Sequence, residues 1–519
     1  MNTINNTGNR CFPETKTPEK KETILTKQMK SQFSFFGPAS MIYALFYAFC
    51  LYKNASGITY PFFAAGTLCY FFLSMKRLGV PYKKDSLFYV ISILLLGISN
   101  CCTTSPQLLF MNKTGIFLLS FVLFLHTVYY DAGWDFPKYI GAIVQTTAGL
   151  ITCLFTPLMD LTSFFDAQKQ RKSDKNSPIG FILIGIAISI PILTVIVVLL
   201  GSADVVFRNM IDRILFSWDF SFLSFFRICL LITVVFLASY ALLSALCMKK
   251  VKEEVTDHKI WEPLIAITVT GMLAMVYLVF SLIQIIYLFI GNMRLPDGYT
   301  YSSYARQGFF QLLIVCVLNL LLVIFCLSFF KDHTGLKIIL TVISGCTFIM
   351  IISSALRMFM YIARYNLTFL RVFVLWSLAV IFLLMAGVTV SIYFRRFPLF
   401  FYCVAVTTVF YIGLSFARPD YLIASYNLNP AHMEYLDEYD LYDAEGYLSQ
   451  LSTDAAPILL NREKNPYLGT EDVAVPRVND DLKSRRFYYY YMNILHRTEE
   501  MNLRNFNFSI YMAGKSAGL

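Results

Sequence analysis

The chain has 519 residues, of which 57% are hydrophobic, 16% aromatic and only 15% charged. Soluble domains carry about 25% charged residues, so this composition excludes an ordinary soluble protein and indicates a membrane protein. The net charge is +10, yet residues 417–519 contain 10 basic and 15 acidic side chains. The positive excess therefore lies before residue 417, in loops between apolar runs, where it indicates membrane orientation rather than nucleic-acid binding.

The first 34 residues are polar, with six basic and three acidic side chains. A cleaved signal peptide would place a short apolar core much closer to the start of the chain. We therefore expect residues 1–34 to be a disordered cytoplasmic arm.

Apolar runs recur from residue 35 to residue 416, and they are long enough to cross a hydrocarbon core of roughly 30 Å. Because lipid offers no partner to free backbone N–H and C=O groups, these runs must be helical. The sequence predicts an all-α polytopic membrane protein with N-terminal membrane helices (35–160) and a C-terminal membrane bundle (179–416). About eleven transmembrane helices are expected, at 35–52, 57–75, 87–102, 114–130, 179–201, 220–248, 261–291, 308–330, 336–361, 366–393 and 397–416.

Run 138–160 is ambiguous because its middle is weakly apolar, and twelve helices result if it spans. The basic loops that follow it hold twelve positive charges, whereas the alternate loops hold five. The positive-inside rule therefore favours eleven spans, with 138–160 in the interface or half-inserted. This arrangement places the N-terminus in the cytoplasm and the C-terminal residues outside.

Residues 417–519 contain no spanning run and predict a small helical extracytoplasmic domain. Helical patterns occur at 444–460, where Pro457 falls in the first turn of a second short helix, and at 485–503. With about 100 residues the domain has little core of its own, so we expect it to lean on the membrane part.

Four residues near the middle of the chain, Arg357, Tyr361, Arg364 and Arg371, fall within one narrow arc of a helix. Two spans must fit into 336–393, so a turn is needed near 362–366, and Asn366 is the expected pivot because asparagine tolerates a left-handed backbone. In that hairpin Arg357 and Arg371 lie just below the outer surface, and Arg306 enters the preceding span at the same level. Three guanidinium groups are thus predicted to converge near the outer leaflet.

A charge inside the hydrocarbon costs roughly 2.5–3.5 kcal/mol on insertion scales, so it is normally paired or functional. The partner could be an anionic ligand, such as a lipid phosphate or carboxylate held bidentately. Alternatively, the arginines could reach the headgroups or pair with carboxylates of the tail such as Asp420, Glu434 or Asp454.

A polar face precedes the span at 308–330, because Tyr304 and Gln307 share one side of a helix with Gln311. Polar amides on a span need partners, so this face is expected to point inward, either to a ligand or to another helix. The candidate anion- or lipid-binding residues are Arg306, Arg357, Arg371, Tyr304, Gln311, Tyr361 and Arg364.

Recognisable catalytic and metal motifs are absent from the sequence. His126 stands alone on a helix, which favours packing or an interfacial position over metal binding. The cysteines, mostly inside apolar runs, are expected to act as small hydrophobic residues. No cofactor, metal or nucleic acid is therefore expected as a partner.

Several motifs resemble the DUF4173/DUF4153 family of bacterial multi-pass membrane proteins. They are Tyr-Ala-Arg-Gln-Gly-Phe-Phe-Gln at 304–311, Ser-Ala-Leu-Arg-Met-Phe-Met-Tyr at 354–361, Leu-Thr-Phe-Leu-Arg at 367–371, and segments at 419–427 and 447–457. The resemblance extends over about 179–515, with Asn366 where glycine is expected. It implies a bacterial inner or plasma membrane protein, and it supports the hairpin and the outer tail without supplying a substrate.

Three functions remain open. A non-catalytic scaffold or sensor would use the outer tail to bind another envelope protein or an envelope polymer. A transporter or flippase would bind an anionic lipid or envelope precursor at the arginines. An intramembrane transferase lacks an evident base or nucleophile, since only Asp420 and His432 are conceivable.

Overall fold

The computed structural model describes residues 23–131, 133–171, 222–251, 259–286, 301–394, 396–434, 438–461, 463–468 and 482–519, with scattered positions between 189 and 210. All its regular elements in these ranges are helical. They are α1 (Ile24–Ser31), α2 (Phe33–Leu51), α3 (Thr59–Arg77), α4 (Ser86–Cys102), α5 (Pro106–Val128), α6 (Phe136–Thr152), α7 (Thr156–Arg171), α8 (Phe222–Cys247), α9 (Pro263–Gln284), α10 (Tyr301–Phe329), α11 (Thr334–Tyr365), α12 (Phe369–Tyr393), α13 (Leu399–Phe416), α14 (Pro419–Asn427), α15 (Pro430–Met433), α16 (Glu438–Leu448), α17 (Ala456–Leu459), α18 (Leu482–Glu499) and α19 (Phe508–Ser516).

Eight of these helices are long and apolar enough to cross a membrane, namely α2, α5 and α8 to α13. The count becomes nine if α6 and the first part of α7, which meet at a bend of 51°, form one span. Helix α4 is a shorter apolar helix. The all-α polytopic prediction is thus confirmed in its coarse form, while the count of eleven or twelve stays a prediction. The run at 179–201 lies almost wholly outside the described residues.

The membrane helices are antiparallel, and alternate loops meet the C-terminal residues at one end of the bundle. Backbone N–H groups there donate from Ile58 to the Phe506 carbonyl (2.7 Å) and from Leu367 to Asn427 (2.8 Å). Thr104 N–H joins them with a bond to Asp454 (3.2 Å). We call this the tail end.

Basic side chains gather at the opposite end, which we call the basic end. Trp261 and Phe330, in the connections before α9 and after α10, pair there through a short backbone bridge. The cations of this end are Lys76, Arg77, Lys83, Lys84, Lys138, Lys249, Lys250, Lys259, Lys331, Lys337 and Arg396. The charge asymmetry expected from the loops is therefore present as an asymmetry between the two ends.

Helix α6, which covers most of the ambiguous run 138–160, stays at the basic end along its whole length. Near its start, the Tyr139 ring stacks on Phe400 at a centroid distance of 3.7 Å. In its middle, Gln145 donates to the carbonyl of Lys250 (3.2 Å). Just past its end, the Cys153 thiol lies 3.7 Å from the sulfur of Met248. Since both ends contact the same side of the bundle, these contacts favour the interfacial alternative.

The structured chain begins earlier than the predicted disordered arm 1–34 allows. Residues 1–22 lie outside the described part, but Thr23 caps α1 and its hydroxyl donates to the carbonyl of Cys247 (2.5 Å). Met29 is buried, and α2 already begins at Phe33. The many polar residues of this segment led to the prediction of disorder, but the segment forms an amphipathic helix that packs against the end of α8.

The predicted hairpin is present between α11 and α12. The turn occupies residues 366–368, and Asn366 is its pivot with a positive φ of 64°. Its ψ of 179° lies outside the left-handed helical region that asparagine tolerates and in a region that glycine normally occupies, so the backbone of Asn366 is strained here.

Residues 417–519 form a helical unit with its own apolar core beneath the tail end. Buried members of this core include Ile423, Leu459, Phe487 and Ile494. The predicted short helix with Pro457 in its first turn is α17, which follows a 3-10 turn at Thr453–Ala455. The unit packs directly on the α11–α12 hairpin, so it leans on the membrane helices as expected.

Candidate functional site

Arg357 is buried inside the bundle, where its exposed fraction is 8%. Its Nη2 donates to the Gln284 side-chain oxygen at 3.0 Å, and the same oxygen accepts from Ser353 at 2.6 Å. The guanidinium also lies against Gly308, where a Cβ would meet Arg357 Cζ at 3.3 Å. Arg357 therefore has polar contacts from the neighbouring helix α9, which differs from the predicted partners, lipid or tail carboxylates.

Arg371 has a different environment at the start of α12. Its Nη1 donates to the carbonyls of Tyr365 (2.5 Å) and Asn366, which end helix α11. Its guanidinium also lies over the ring of Tyr361, 4.2 Å from the centroid. A cation at a helix C-terminus satisfies free carbonyls and the helix dipole, so Arg371 fastens the hairpin.

Of the remaining predicted site residues, the structure describes the side chains of Arg364 and Gln311. Arg364 is exposed, and Gln311 is exposed on α10, so its expected inward orientation is wrong. The side chains of Tyr304 and Arg306 lie outside the described residues. Arg357 and Arg371 thus have separate partners within the chain, and the predicted convergence of three guanidinium groups stays a prediction.

Many serine and threonine hydroxyls within the bundle bond to a carbonyl of their own helix, while several other polar side chains bond to a neighbouring helix. Asn319 donates to Thr347 (2.9 Å), and Ser354 donates to the carbonyl of Phe309 (3.4 Å). Interhelical hydrogen bonding therefore accounts for these residues.

The densest buried polar cluster lies where the C-terminal unit meets the tail end, and its centre is the carboxylate of Asp454. Its exposed fraction is 0%. It accepts hydrogen bonds from the hydroxyl of Thr103 (2.5 Å), from the backbone N–H of Thr104 (3.2 Å) and from the hydroxyl of Ser509. The loop between α4 and α5 is thereby bonded to two separated segments of the C-terminal unit.

Other buried bonds extend this junction to the loop between α2 and α3. Asn507 donates to the carbonyls of Ser56 (2.8 Å) and Thr103 (3.0 Å), and Asn54 donates to the carbonyl of Arg504 (3.0 Å). At the hairpin, the Phe369 N–H donates to the hydroxyl of Tyr447 at 2.8 Å. We call these contacts, together with those of Asp454, the tail junction.

The hairpin and the Asp454 carboxylate fall within a match to a family model, the domain of unknown function DUF4153, which covers residues 90–461. This is well over half of the chain. The chain belongs to the DUF4153 family. The match begins at 90 rather than 179 and ends before 515, so the N-terminal boundary of the predicted resemblance was too late. No match was found among curated proteins or among solved structures.

In this DUF4153 protein a second buried carboxylate, Asp420, lies beside the tail junction. Its oxygen accepts from the Ser452 N–H at 3.3 Å, and its exposed fraction is 4%. Burial raises the pKa of Asp420, and the nearby charge of Asp454 raises it further, while the hydrogen bond from Ser452 lowers it in part. The ionised form of Asp420 is therefore disfavoured in the folded protein.

We expect this shift to make stability fall as pH rises. The folded protein holds the proton of this carboxyl more tightly than the unfolded chain does, and this difference adds to the free energy of unfolding. The contribution is fully present below the pKa of the unfolded chain, near 4, and is lost as pH rises through the raised pKa of the folded protein. Asp420→Asn keeps an acceptor oxygen and remains neutral. Its melting temperature should exceed that of the unmodified protein by a margin that grows from pH 4 to pH 8.

Asp443→Asn is the matched control, because Asp443 is exposed on α16. It should leave the pH dependence of the melting temperature unchanged. A margin for Asp420→Asn that stays constant with pH, measured by thermal scanning in detergent, would contradict the assignment.

The two conceivable catalytic residues of the DUF4153 chain lie in structural positions. Asp420 contributes to the tail junction, and the ring of His432 stacks on Tyr426 at 3.9 Å. His126 is different, because its Nδ1 lies 2.6 Å from the carboxylate of Asp131 at the basic end. Sequence reasoning treated His126 as alone on its helix. The turn after α5, which brings the Asp131 carboxylate next to the imidazole, could not be predicted from the apolar sequence at the end of α5.

Two functional contacts escaped sequence reasoning altogether. Gln284 ends an apolar helix and gave no periodic signal linking it to Arg357. Thr103 and Thr104 looked like ordinary turn residues between two spans. Three consecutive small polar residues, Thr-Thr-Ser before Pro106, were the available signal, because such residues at a helix start can also bond across an interface.

Proposed function

We propose that this chain is a non-catalytic scaffold or sensor of the bacterial cell membrane, whose membrane bundle holds residues 417–519 as a fixed extracytoplasmic domain. In this proposal the chain crosses the membrane eleven times with its N-terminus in the cytoplasm. The basic end is then cytoplasmic, in agreement with the positive-inside rule. The partner is another envelope protein or an envelope polymer.

The observation that carries the proposal is the tail junction. A domain joined by a flexible linker would need no buried contacts, whereas Asp454 bonds a bundle loop to two segments of the C-terminal unit. Buried polar groups that are fully hydrogen-bonded specify one arrangement of the parts they connect. A fixed domain suits the presentation of a surface or the transmission of a binding event.

The alternative, a transporter or flippase for an anionic lipid or precursor, draws support from Arg357, a cation buried among membrane helices. We rank it second for two reasons. Arg357 bonds to Gln284 within the bundle, and Arg371 is committed to the end of α11.

The test places a photoreactive phenylalanine analogue at Tyr489, whose exposed fraction is 70% on the outer face of α18. Irradiation of intact cells should give an adduct of discrete mass that contains a second protein or a polymer. Phe110 is the control, because its exposed fraction is 72% on membrane helix α5. It should give lipid adducts alone.

Orientation is checked with the same cells by replacing Gln450 or Lys250 with cysteine, since both are exposed at opposite ends of the molecule. A membrane-impermeant maleimide should label position 450 in intact cells and position 250 only after permeabilisation. Labelling in the reverse order, or no adduct from position 489, would remove the proposal.

A further inference from the structure

A cavity of about 1280 Å³ opens at the basic end, far from the tail junction. It lies between α4, α5, the 129–135 turn, α6 and the start of α13. Its walls are rigid and largely aromatic, since Tyr139 stacks on Phe400 and Phe88 packs against Phe401 at 5.6 Å. Ligand pockets typically combine such apolar walls with a few convergent polar groups, and this cavity is somewhat larger than their usual volume of about 300–1,000 Å³.

One polar group in the wall is fully committed. The Asp131 carboxylate accepts from the hydroxyl of Tyr139 (2.6 Å) and contacts His126 and Lys83. Burial alone would raise the pKa of Asp131, but the hydrogen bonds from His126 and Tyr139 and the charge of Lys83 hold it below its usual value. Asp131 therefore stays ionised, but the positive charge of Lys83 beside it offsets its negative charge. It does not repel an incoming anion strongly.

Cations complete the rim. Lys84 and Arg396 line the cavity, are exposed, and make no ion pair with any residue that the structure describes. Lys259 lines it as well and is paired with Asp332 at 2.7 Å. Two further carboxylates, Asp85 and Asp135, line the cavity, and Asp135 caps α6 by accepting from the Lys138 N–H at 3.1 Å. Lys84 and Arg396 therefore mark the part of the rim where an anionic group would bind.

We propose that this cavity binds the headgroup of an anionic phospholipid. Its phosphate oxygens would accept from the rim cations Lys84 and Arg396, while the aromatic walls would cover the glycerol and the first acyl carbons. The basic end lies at a helix-bundle surface where apolar side chains give way to cations, which is the depth of a phosphate group. Arginine and lysine recognise phosphate through charge, and the aromatic surface distinguishes a lipid from a free ion.

The experiment measures lipid retained by the purified full chain after extraction from vesicles of equal phosphatidylcholine and phosphatidylglycerol, by native mass spectrometry. The unmodified chain should retain phosphatidylglycerol preferentially. Lys84→Gln with Arg396→Gln should lower that retention by on the order of tenfold, because each removes one cation from the phosphate.

The matched control is Lys76→Gln with Lys250→Gln, two exposed cations of the same end that do not line the cavity. It should retain phosphatidylglycerol like the unmodified chain. Equal losses in the two double variants would show only general attraction to anionic membranes and would overturn the proposal. Unchanged retention after the cavity substitutions would overturn it too, as would displacement of the lipid by excess inorganic phosphate. A melting temperature within the range of the control variant excludes loss of folding as the cause.

Discussion

Replacing Asp454 with alanine should release the C-terminal unit from the bundle. The substitution removes the acceptor of Thr103, Thr104 and Ser509 at once, in a site where Thr103 is 1% exposed and Ser509 0%. Each buried donor left without an acceptor costs about 1–3 kcal/mol. Because the cavity left by the side chain can admit water, we expect a total loss of about 3–5 kcal/mol rather than the full sum.

The release has two measurable consequences. The melting temperature of the purified protein should fall by several degrees, and trypsin should cut residues 417–519 from the bundle faster than in the unmodified chain. Asp454→Asn keeps one carbonyl oxygen as an acceptor. Its melting temperature and its rate of cleavage should therefore lie between those of Asp454→Ala and those of the unmodified chain.

Glu499→Ala is the control for Asp454→Ala, since Glu499 is an exposed acidic residue of the same unit. Surface substitutions of this kind change stability by about 0.5 kcal/mol or less. Equal melting temperatures for Asp454→Ala and Glu499→Ala, with equal rates of cleavage, would show that the tail junction does not hold the unit in place.

Gly308→Ala should displace the buried guanidinium of Arg357. The new Cβ would lie 3.3 Å from Arg357 Cζ and closer still to Nη1, so the side chain must move away from Gln284. Overpacking of a well-packed interior typically costs about 1–3 kcal/mol, and the weakened hydrogen bond to a charged donor adds to that cost. Thermal scanning should therefore show a clear loss of stability.

The mechanism is tested by combining the substitution with Arg357→Met. In that background Gly308→Ala should cost little, because the flexible methionine can move aside and carries no charge. Gly345→Ala provides the control on the neighbouring helix. No atom lies within 4 Å of a Cβ built at Gly345, so alanine there should stabilise the helix by up to about 1 kcal/mol. An unchanged cost of Gly308→Ala in both backgrounds would show that Arg357 is not the group it displaces.

Much of the fold could be predicted because the membrane imposes strong local rules. Apolar length alone located most of the described apolar helices within a few residues, although α5 begins at Pro106 and not at 114, and α10 at Tyr301 and not at 308. The positive φ of Asn366 was expected from two spans sharing one segment. The short helix beginning at Ala456 was predicted from Pro457, which suits the first turn of a helix. Each of these inferences needs only neighbours in sequence.

The site could not be predicted in the same way. Arg357 donates to Gln284, 73 residues earlier, and Asp454 accepts from Thr103 and Thr104, about 350 residues earlier. Helical periodicity shows which face of a helix carries a polar group, but it does not show which other helix that face meets. The arginines were correctly recognised as unusual, while their partners were assigned to lipid or to the tail carboxylates.

By itself, the sequence determined that this protein is a bundle of membrane helices with a charged asymmetry and a helical C-terminal unit, because apolar length, turn residues and loop charge act locally. Only the tertiary structure decided which polar groups meet: Arg357 with Gln284, Asp454 with the loop before Pro106, and His126 with Asp131. The physical reason is that hydrogen bonds act over about 3 Å, so their partners are fixed by how distant segments pack and not by their order along the chain.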